Sequence, residues 1–153
     1  MTVRPPAPGL EWAFSVDAEL GPLQDHGMTR VGHRRIIPIA GGTVTGAFTG
    51  VLLPGGADWQ TVRADGSIEI DGRYSACADD GALLYVTARG VRSGEPGVLQ
   101  SLLDGADVDP SAYYFRTALT LECATDRSLE DAVFVASCVR EADRVRYDAY
   151  RVS

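Results

Sequence analysis

Apolar and polar positions alternate strictly at the start of the chain. Leu10, Trp12, Phe14, Val16 and Ala18 fall on one side, and Glu11, Ala13, Ser15, Asp17 and Glu19 on the other. A period of two is that of a strand with one buried face. Further strand-like stretches occupy residues 35–39, 43–53, 58–63, 67–78, 82–90, 112–122, 132–140 and 145–152, so eight or nine strands are predicted. Gly-Pro, Pro-Gly-Gly, Asp-Gly and Asp-Asp-Gly signals separate them, the turn chemistry of consecutive hairpins rather than of βαβ crossovers. Only residues 97–104, with Val98, Leu99, Leu102 and Leu103 at helical spacing, and the short segment 126–131 read as helical.

Many long strands with little helix must dispose of two sheet edges, and closing the sheet removes both. The pattern therefore predicts an all-β fold, a closed antiparallel barrel of about eight strands with one or two short helices. The glycines at 41, 42, 46, 50, 55 and 56 suit sharply bent barrel strands. Residues 1–153 read as one domain, with a Pro-rich N-terminal tail over 1–8, and a chain of this length can form one sizeable core.

Charge narrows the function. A net charge of −7 argues against a broad electrostatic grip on nucleic acid. All 14 basic residues are Arg, and the absence of Lys excludes Schiff-base chemistry, a pyridoxal attachment site and a P-loop lysine. Cys77, Cys123 and Cys138 form neither a CxxC pair nor a disulfide framework, and read as reduced core residues. No leader-like start and no apolar run of membrane-spanning length is seen, so a cytoplasmic location and no membrane partner are expected.

The blocks Gly32-His33-Arg34-Arg35-Ile36-Ile37-Pro38-Ile39, Gly41-Gly42-Thr43, Gly50–Trp59 and Asp65-Gly66 carry a resemblance, continued through Asp71–Tyr74, Asp79–Ala82, Gly90-Val91, Tyr114–Thr117, Glu122, Val133–Ala136 and Tyr147–Val152. In this order they resemble the domain of unknown function 3237 family over nearly the whole chain. The resemblance implies a small closed β-barrel of bacterial and fungal proteins. Gly72 stands where the family pattern leads one to expect Ala, and the 141–144 turn is short. Similar barrels include small-molecule cyclases, isomerases and plain binders, so the fold leaves the function to be argued from the site.

Asp58 and Trp59 follow a Pro-Gly-Gly turn, where a carboxylate and a large π-face can meet a ligand at a strand entrance; the alternative is a turn-capping Asp and a core Trp. On residues 67–78, Ile68, Ile70, Tyr74 and Ala76 share one face, and Glu69, Asp71, Arg73 and Ser75 the other. On residues 112–122, Tyr114, Arg116 and Glu122 lie opposite Tyr113, Phe115, Leu119 and Leu121. If the charged faces line the lumen, Arg73 and Arg116 hold an anion and Glu122 acts as a base; otherwise they form surface ion pairs. His33, beside Arg34 and Arg35, reads as a rim residue able to exchange protons. No His, Cys or carboxylate spacing offers a preformed metal site, and no glycine motif sits in a nucleotide-binding context, so neither metal nor cofactor is expected.

The leading expectation is a cofactor-independent small-molecule enzyme of bacterial specialised metabolism, catalysing isomerisation, cyclisation or elimination by acid–base chemistry on a carbonyl-bearing or anionic ligand. Asp58, Glu122 and His33 are the candidate catalytic groups, and Trp59, Arg73, Tyr85, Tyr114 and Arg116 the candidate binding groups. The alternatives are a non-catalytic carrier barrel and a structural subunit; a homodimer or higher homo-oligomer would suit any of the three.

Overall fold

The structure, a computed structural model, describes residues 2–153. Ten strands run in chain order as β1 (Leu10–Leu20), β2 (Gln24–Thr29), β3 (Gly32–Gly46), β4 (Gly50–Leu52), β5 (Ala57–Val62), β6 (Ile68–Cys77), β7 (Leu83–Gly94), β8 (Tyr113–Glu122), β9 (Val133–Arg140) and β10 (Arg144–Val152). One helix, α1 (Pro96–Leu103), follows β7, and short 3-10 turns precede β8 and β9.

The sheet closes. Its neighbours run β1-β10-β9-β8-β7-β6, then β4 and β5 in line, then β3, which pairs back onto β1 from Phe14↔Gly46 to Ala18↔Gly42. Every pairing within these strands is antiparallel. The predicted closed barrel is therefore the observed fold, with eight strand positions in the wall.

Two differences from the sequence pattern concern β2 and β3. Stretches 35–39 and 43–53 regroup as the 15-residue β3 followed by the short β4. The glycines between them bend a strand rather than end it. The N-terminal half of β3 pairs with β2 and β5, and its C-terminal half with β1 and β4. Strand β2, Gln-Asp-His-Gly-Met-Thr, is largely exposed and has no apolar alternation to announce it. It exists because β3 offers it a hydrogen-bonding edge.

Alternation decides what fills the barrel. Phe14, Val16 and Ala18 of β1 point inward, as do Tyr113, Phe115, Thr117, Leu119 and Leu121 of β8. At one end Phe14 meets Phe134 at 6.3 Å between ring centroids, within a cluster that includes Phe48, Leu52, Leu84 and Leu121. Such a plug leaves no opening there. The other end is different, because polar residues interrupt the apolar faces and α1 lies over it, with buried Leu102 joining the core and Leu99 beside Gly66 of the β5–β6 turn.

Candidate functional site: a polar lumen behind the apolar plug

Above the plug the interior opens into a cavity of about 60 Å³. Its lining includes the apolar Leu20, Ile37, Ile39, Ile70 and Val145 and the more polar Asp58, Gln60, Arg92, Thr117, Cys138 and Arg140. Tyr74 and Tyr147 form its floor, their hydroxyls hydrogen-bonded to each other and Tyr147 set edge-on to Phe14 at 6.4 Å.

Asp58 enters this space because it pairs with Ile37 of β3 and Gly72 of β6, both facing inward. Its Oδ2 accepts a hydrogen bond from Gln60 Nε2 at 2.8 Å, and its Oδ1 accepts the Asp71 backbone N–H at 3.2 Å. The cavity keeps part of the residue accessible, while protein atoms crowd the carboxyl closely. Desolvation by burial therefore leads, pushing the Asp58 carboxyl above the usual aspartate value against the lowering effect of those two hydrogen bonds and of Arg92. Gly72 stands opposite. A Cβ there would meet only ordinary contacts, the nearest at 3.7 Å, so its glycine widens the lumen beside Asp58 without being demanded by the backbone.

Three arginines converge on the same end. Arg35 and Arg92 are buried, at 7% and 2% exposure, and Arg140 reaches in from the end of β9. Burial pulls the guanidinium of Arg92 down to about 10, with Arg140 and Arg35 adding repulsion. Burial likewise lowers Arg35 and Arg140. All stay cationic at neutral pH. None joins an ion pair among the described residues. Arg140 Nη1 donates to the carbonyls of Glu141 and Arg144, and Arg92 lies 5.7 Å from the centroid of the Phe115 ring. Yet Nε and Nη1 of Arg92, and Oε1 of Gln60, are buried with no hydrogen-bonding partner. Native interiors rarely leave such groups unmatched.

Cys138 also faces the lumen, but burial pushes its thiol up to about 12, so it is no nucleophile at neutral pH. Among the described residues no three His, Cys, Asp or Glu side chains gather as a metal would require.

Of the residues singled out from sequence, Asp58 is the one the fold brings into the lumen. Trp59, its neighbour, turns outward into a shallow depression with Arg34, Ile36, Asp71 and Arg73. Arg73 is exposed and pairs with Asp71 at 3.3 Å. Tyr85 is outward too, because Leu84, Val86 and Ala88 take the inward positions of β7. His33 hydrogen-bonds Asp25 at 2.7 Å across the β2–β3 hairpin, which holds the Asp25 carboxyl below its usual value.

The expectation that Arg116, Glu122 and Tyr114 line the lumen is corrected. The opposite face of β8, Tyr113, Phe115, Leu119 and Leu121, fills the barrel, which puts these three outside. Arg116 stacks on Tyr114 at 5.6 Å and donates to the Phe115 carbonyl at 3.0 Å. Arg116→Ala is accordingly expected to shift stability by less than about 0.5 kcal/mol in urea denaturation. Arg35, Arg92, Arg140 and Gln60, which do face inward, were not among the candidates.

Fold and site together define a small closed β-barrel with a small lumen that carries charged side chains. Residues 8–152 match the family described as "Protein of unknown function (DUF3237)", and the chain belongs to it. A UPF0311 protein of Bradyrhizobium diazoefficiens is 44% identical over 144 residues, spanning 93% of this chain and 95% of its own. The crystal structure of a conserved protein of unknown function from Rhodopseudomonas palustris superposes with a TM-score of 0.91 at 38% identity, covering 98% of this chain and all of the other. A hydroalkoxylation enzyme of Penicillium herquei is 33% identical over 85 residues, 55% of this chain and 56% of its own. The crystal structure of an enzyme from that fungus shares the fold, with a TM-score of 0.72 at 19% identity and full coverage of both chains.

Proposed function

We propose that the lumen binds a small molecule and that Asp58 acts on it as a general acid, adding a hydroxyl across a carbon–carbon double bond or reversing that addition. The observation that carries the reading is the Asp58 carboxyl itself. It is inside the barrel, fixed by Gln60, and raised in pKa by burial, which is the condition under which a carboxylic acid keeps a proton to give. The sequence similarity to a hydroalkoxylation enzyme supports the choice of reaction.

In the forward direction Asp58 donates its proton to one alkene carbon, and the hydroxyl oxygen of the same substrate bonds to the other. The O–H proton then returns to the Asp58 carboxylate. One C–H and one C–O bond form, one π bond and one O–H bond break, and nothing is oxidised or reduced. Performed within one molecule, this is a cyclisation. The apolar walls formed by Ile37, Ile39 and Ile70 shield the developing positive charge from water, which would otherwise capture it.

The same walls would serve a non-catalytic carrier, and labelling separates the two readings. The protein is incubated in D2O with phenols bearing a pendant alkene, starting with 2-allylphenol, and products are followed by mass spectrometry. The enzyme reading predicts a cyclic ether carrying one carbon-bound deuterium, formed by the wild-type chain and not by Asp58→Asn. Equal product with both chains, or none with either, contradicts it.

A further inference from the structure

We infer that Arg92 and Arg140, with the charge of Arg35 close behind them, form a binding site for the carboxylate of a small apolar acid. The inference rests on the lumen being the binding site, but not on Asp58 being a catalyst.

Charge is the first ground. The chain as a whole carries −7, yet at this one place it gathers the buried Arg35 and Arg92 and the half-buried Arg140, with Asp58 the one carboxyl lining the cavity beside them. Each opposes the others. Removing a guanidinium from water costs several kcal/mol unless a partner repays it, about the same penalty that makes isolated buried charges rare. Asp58 does not repay it, since its oxygens are taken by Gln60 and the Asp71 backbone and lie beyond 4 Å from every arginine nitrogen. A barrel that keeps this arrangement needs an anion to complete it.

The open donors say where the anion goes. Arg92 Nε and Nη1 are buried without partners, and Arg92 lines the cavity together with Arg140. The hydroxyl oxygen of buried Tyr113 accepts the Arg140 backbone N–H at 3.1 Å, which fixes the end of β9 where Arg140 enters the cavity. Arginine is suited to this task, since its planar fork matches a carboxylate.

Size and lining choose among anions. A cavity of about 60 Å³ holds only a few waters' worth of atoms, enough for a carboxylate and the first carbons behind it. Ile37, Ile39, Ile70 and Phe115 surround the remainder. Phosphate is more strongly hydrated than a carboxylate and would press its oxygens against those apolar walls. Gln60 Oε1, the other orphan, supplies an acceptor for a hydroxyl on the same ligand. The substrate class that follows is an apolar hydroxy acid or phenolic acid, held by its carboxylate at the arginines with its reactive end toward Asp58.

The test is calorimetric titration at constant ionic strength with sodium isobutyrate, sodium benzoate, benzamide and inorganic phosphate. At least one carboxylate should bind at a single site, and benzamide, the uncharged isostere, should not. Arg92→Met should weaken that binding about 30-fold or more, the size expected for losing a buried charge partner. The same variant should melt no lower than the wild type when ligand-free, because an apolar side chain of similar length replaces an unpaired buried charge. Arg140→Gln should weaken binding in the same direction. Asp58→Asn should bind the carboxylate at least as tightly as the wild type, which separates loss of the site from loss of the proposed catalysis. The inference is overturned if no carboxylate binds the wild type, if phosphate or benzamide binds as well as the carboxylates, or if Arg92→Met binds normally. A ligand-free Arg92→Met chain that is strongly destabilised, with Arg140→Gln binding as wild type, would instead make Arg92 structural.

Discussion

Asp58→Asn is expected to lower turnover about 10²-fold or more, the usual worth of a general acid, while leaving the barrel folded and, above the folded-state pKa of Asp58, more stable than the wild type. The combination is the point. A carboxyl whose folded-state pKa lies above its unfolded value binds its proton more tightly in the native chain, so its contribution to stability is fully present below pH about 3.8 and is lost as pH rises through the folded pKa. Above the folded-state pKa, where the carboxyl has lost its proton, the crowded Asp58 carboxylate is a net cost to folding. Asparagine keeps the shape and loses the charge. Urea denaturation of both chains from acidic to neutral pH should show the variant gaining on the wild type as pH rises. A residue kept for structure alone would behave in the opposite way, with its Asn variant less stable and its activity intact.

Gly42→Ala should damage folding severely. Gly42 sits in the β1–β3 seam opposite Ala18 with φ of 135°, and a Cβ there would lie 2.0 Å from the Asp17 carbonyl oxygen. Backbone, not a movable side chain, occupies the space. The barrel closes through this seam, so relief means parting β1 from β3. A loss of roughly 4 kcal/mol or more, or outright failure to fold, is expected. Gly27→Ala is the control. Gly27 also has a positive φ, 71°, but a Cβ there meets nothing within 4 Å, so only local backbone strain of about 1 kcal/mol applies. Circular dichroism melts of the two variants compare closure with strain directly.

The barrel was legible in the sequence because its information is local: period-two alternation, and turn signals between the runs. Strand β2 was not, since its exposed polar residues gain nothing from burial and are held by the edge of β3. The site divides along the same line. Asp58 was marked by its place after Pro54-Gly55-Gly56. Arg116 and Glu122 were misplaced by treating a charged stripe as a candidate lumen, although the face opposite carried Tyr113, Phe115, Leu119 and Leu121. Those bulky residues need the interior more than an anion site does.

The three inward-pointing arginines are marked in a quieter way. Each continues an inward apolar stripe by whole steps of two: Arg35 before Ile37 and Ile39, Arg92 after Val86 and Ala88, Arg140 after Phe134, Ala136 and Cys138. A charge in phase with a core face is a stronger site signal than a cluster of charges on the opposite face. Recognising Arg92 also required extending β7 past Gly90 to Gly94, where the apolar pattern had already faded. What no local pattern encodes is convergence, because β3, β7 and β9 bring these residues together only once the sheet has closed.

The central claim is that the lumen holds a carboxyl poised to give up a proton, and the titration of Asp58 tests it without any substrate. The side-chain carboxyl carbons are followed by 13C NMR across pH, and the Asp58 resonance is assigned by its absence in Asp58→Asn. A midpoint above the ordinary aspartate value of 3.8 is the result predicted by burial in the lumen. A midpoint at or below 3.8 would show that the neighbouring arginines and hydrogen bonds outweigh burial, leaving Asp58 an ionised partner of the arginines and no acid.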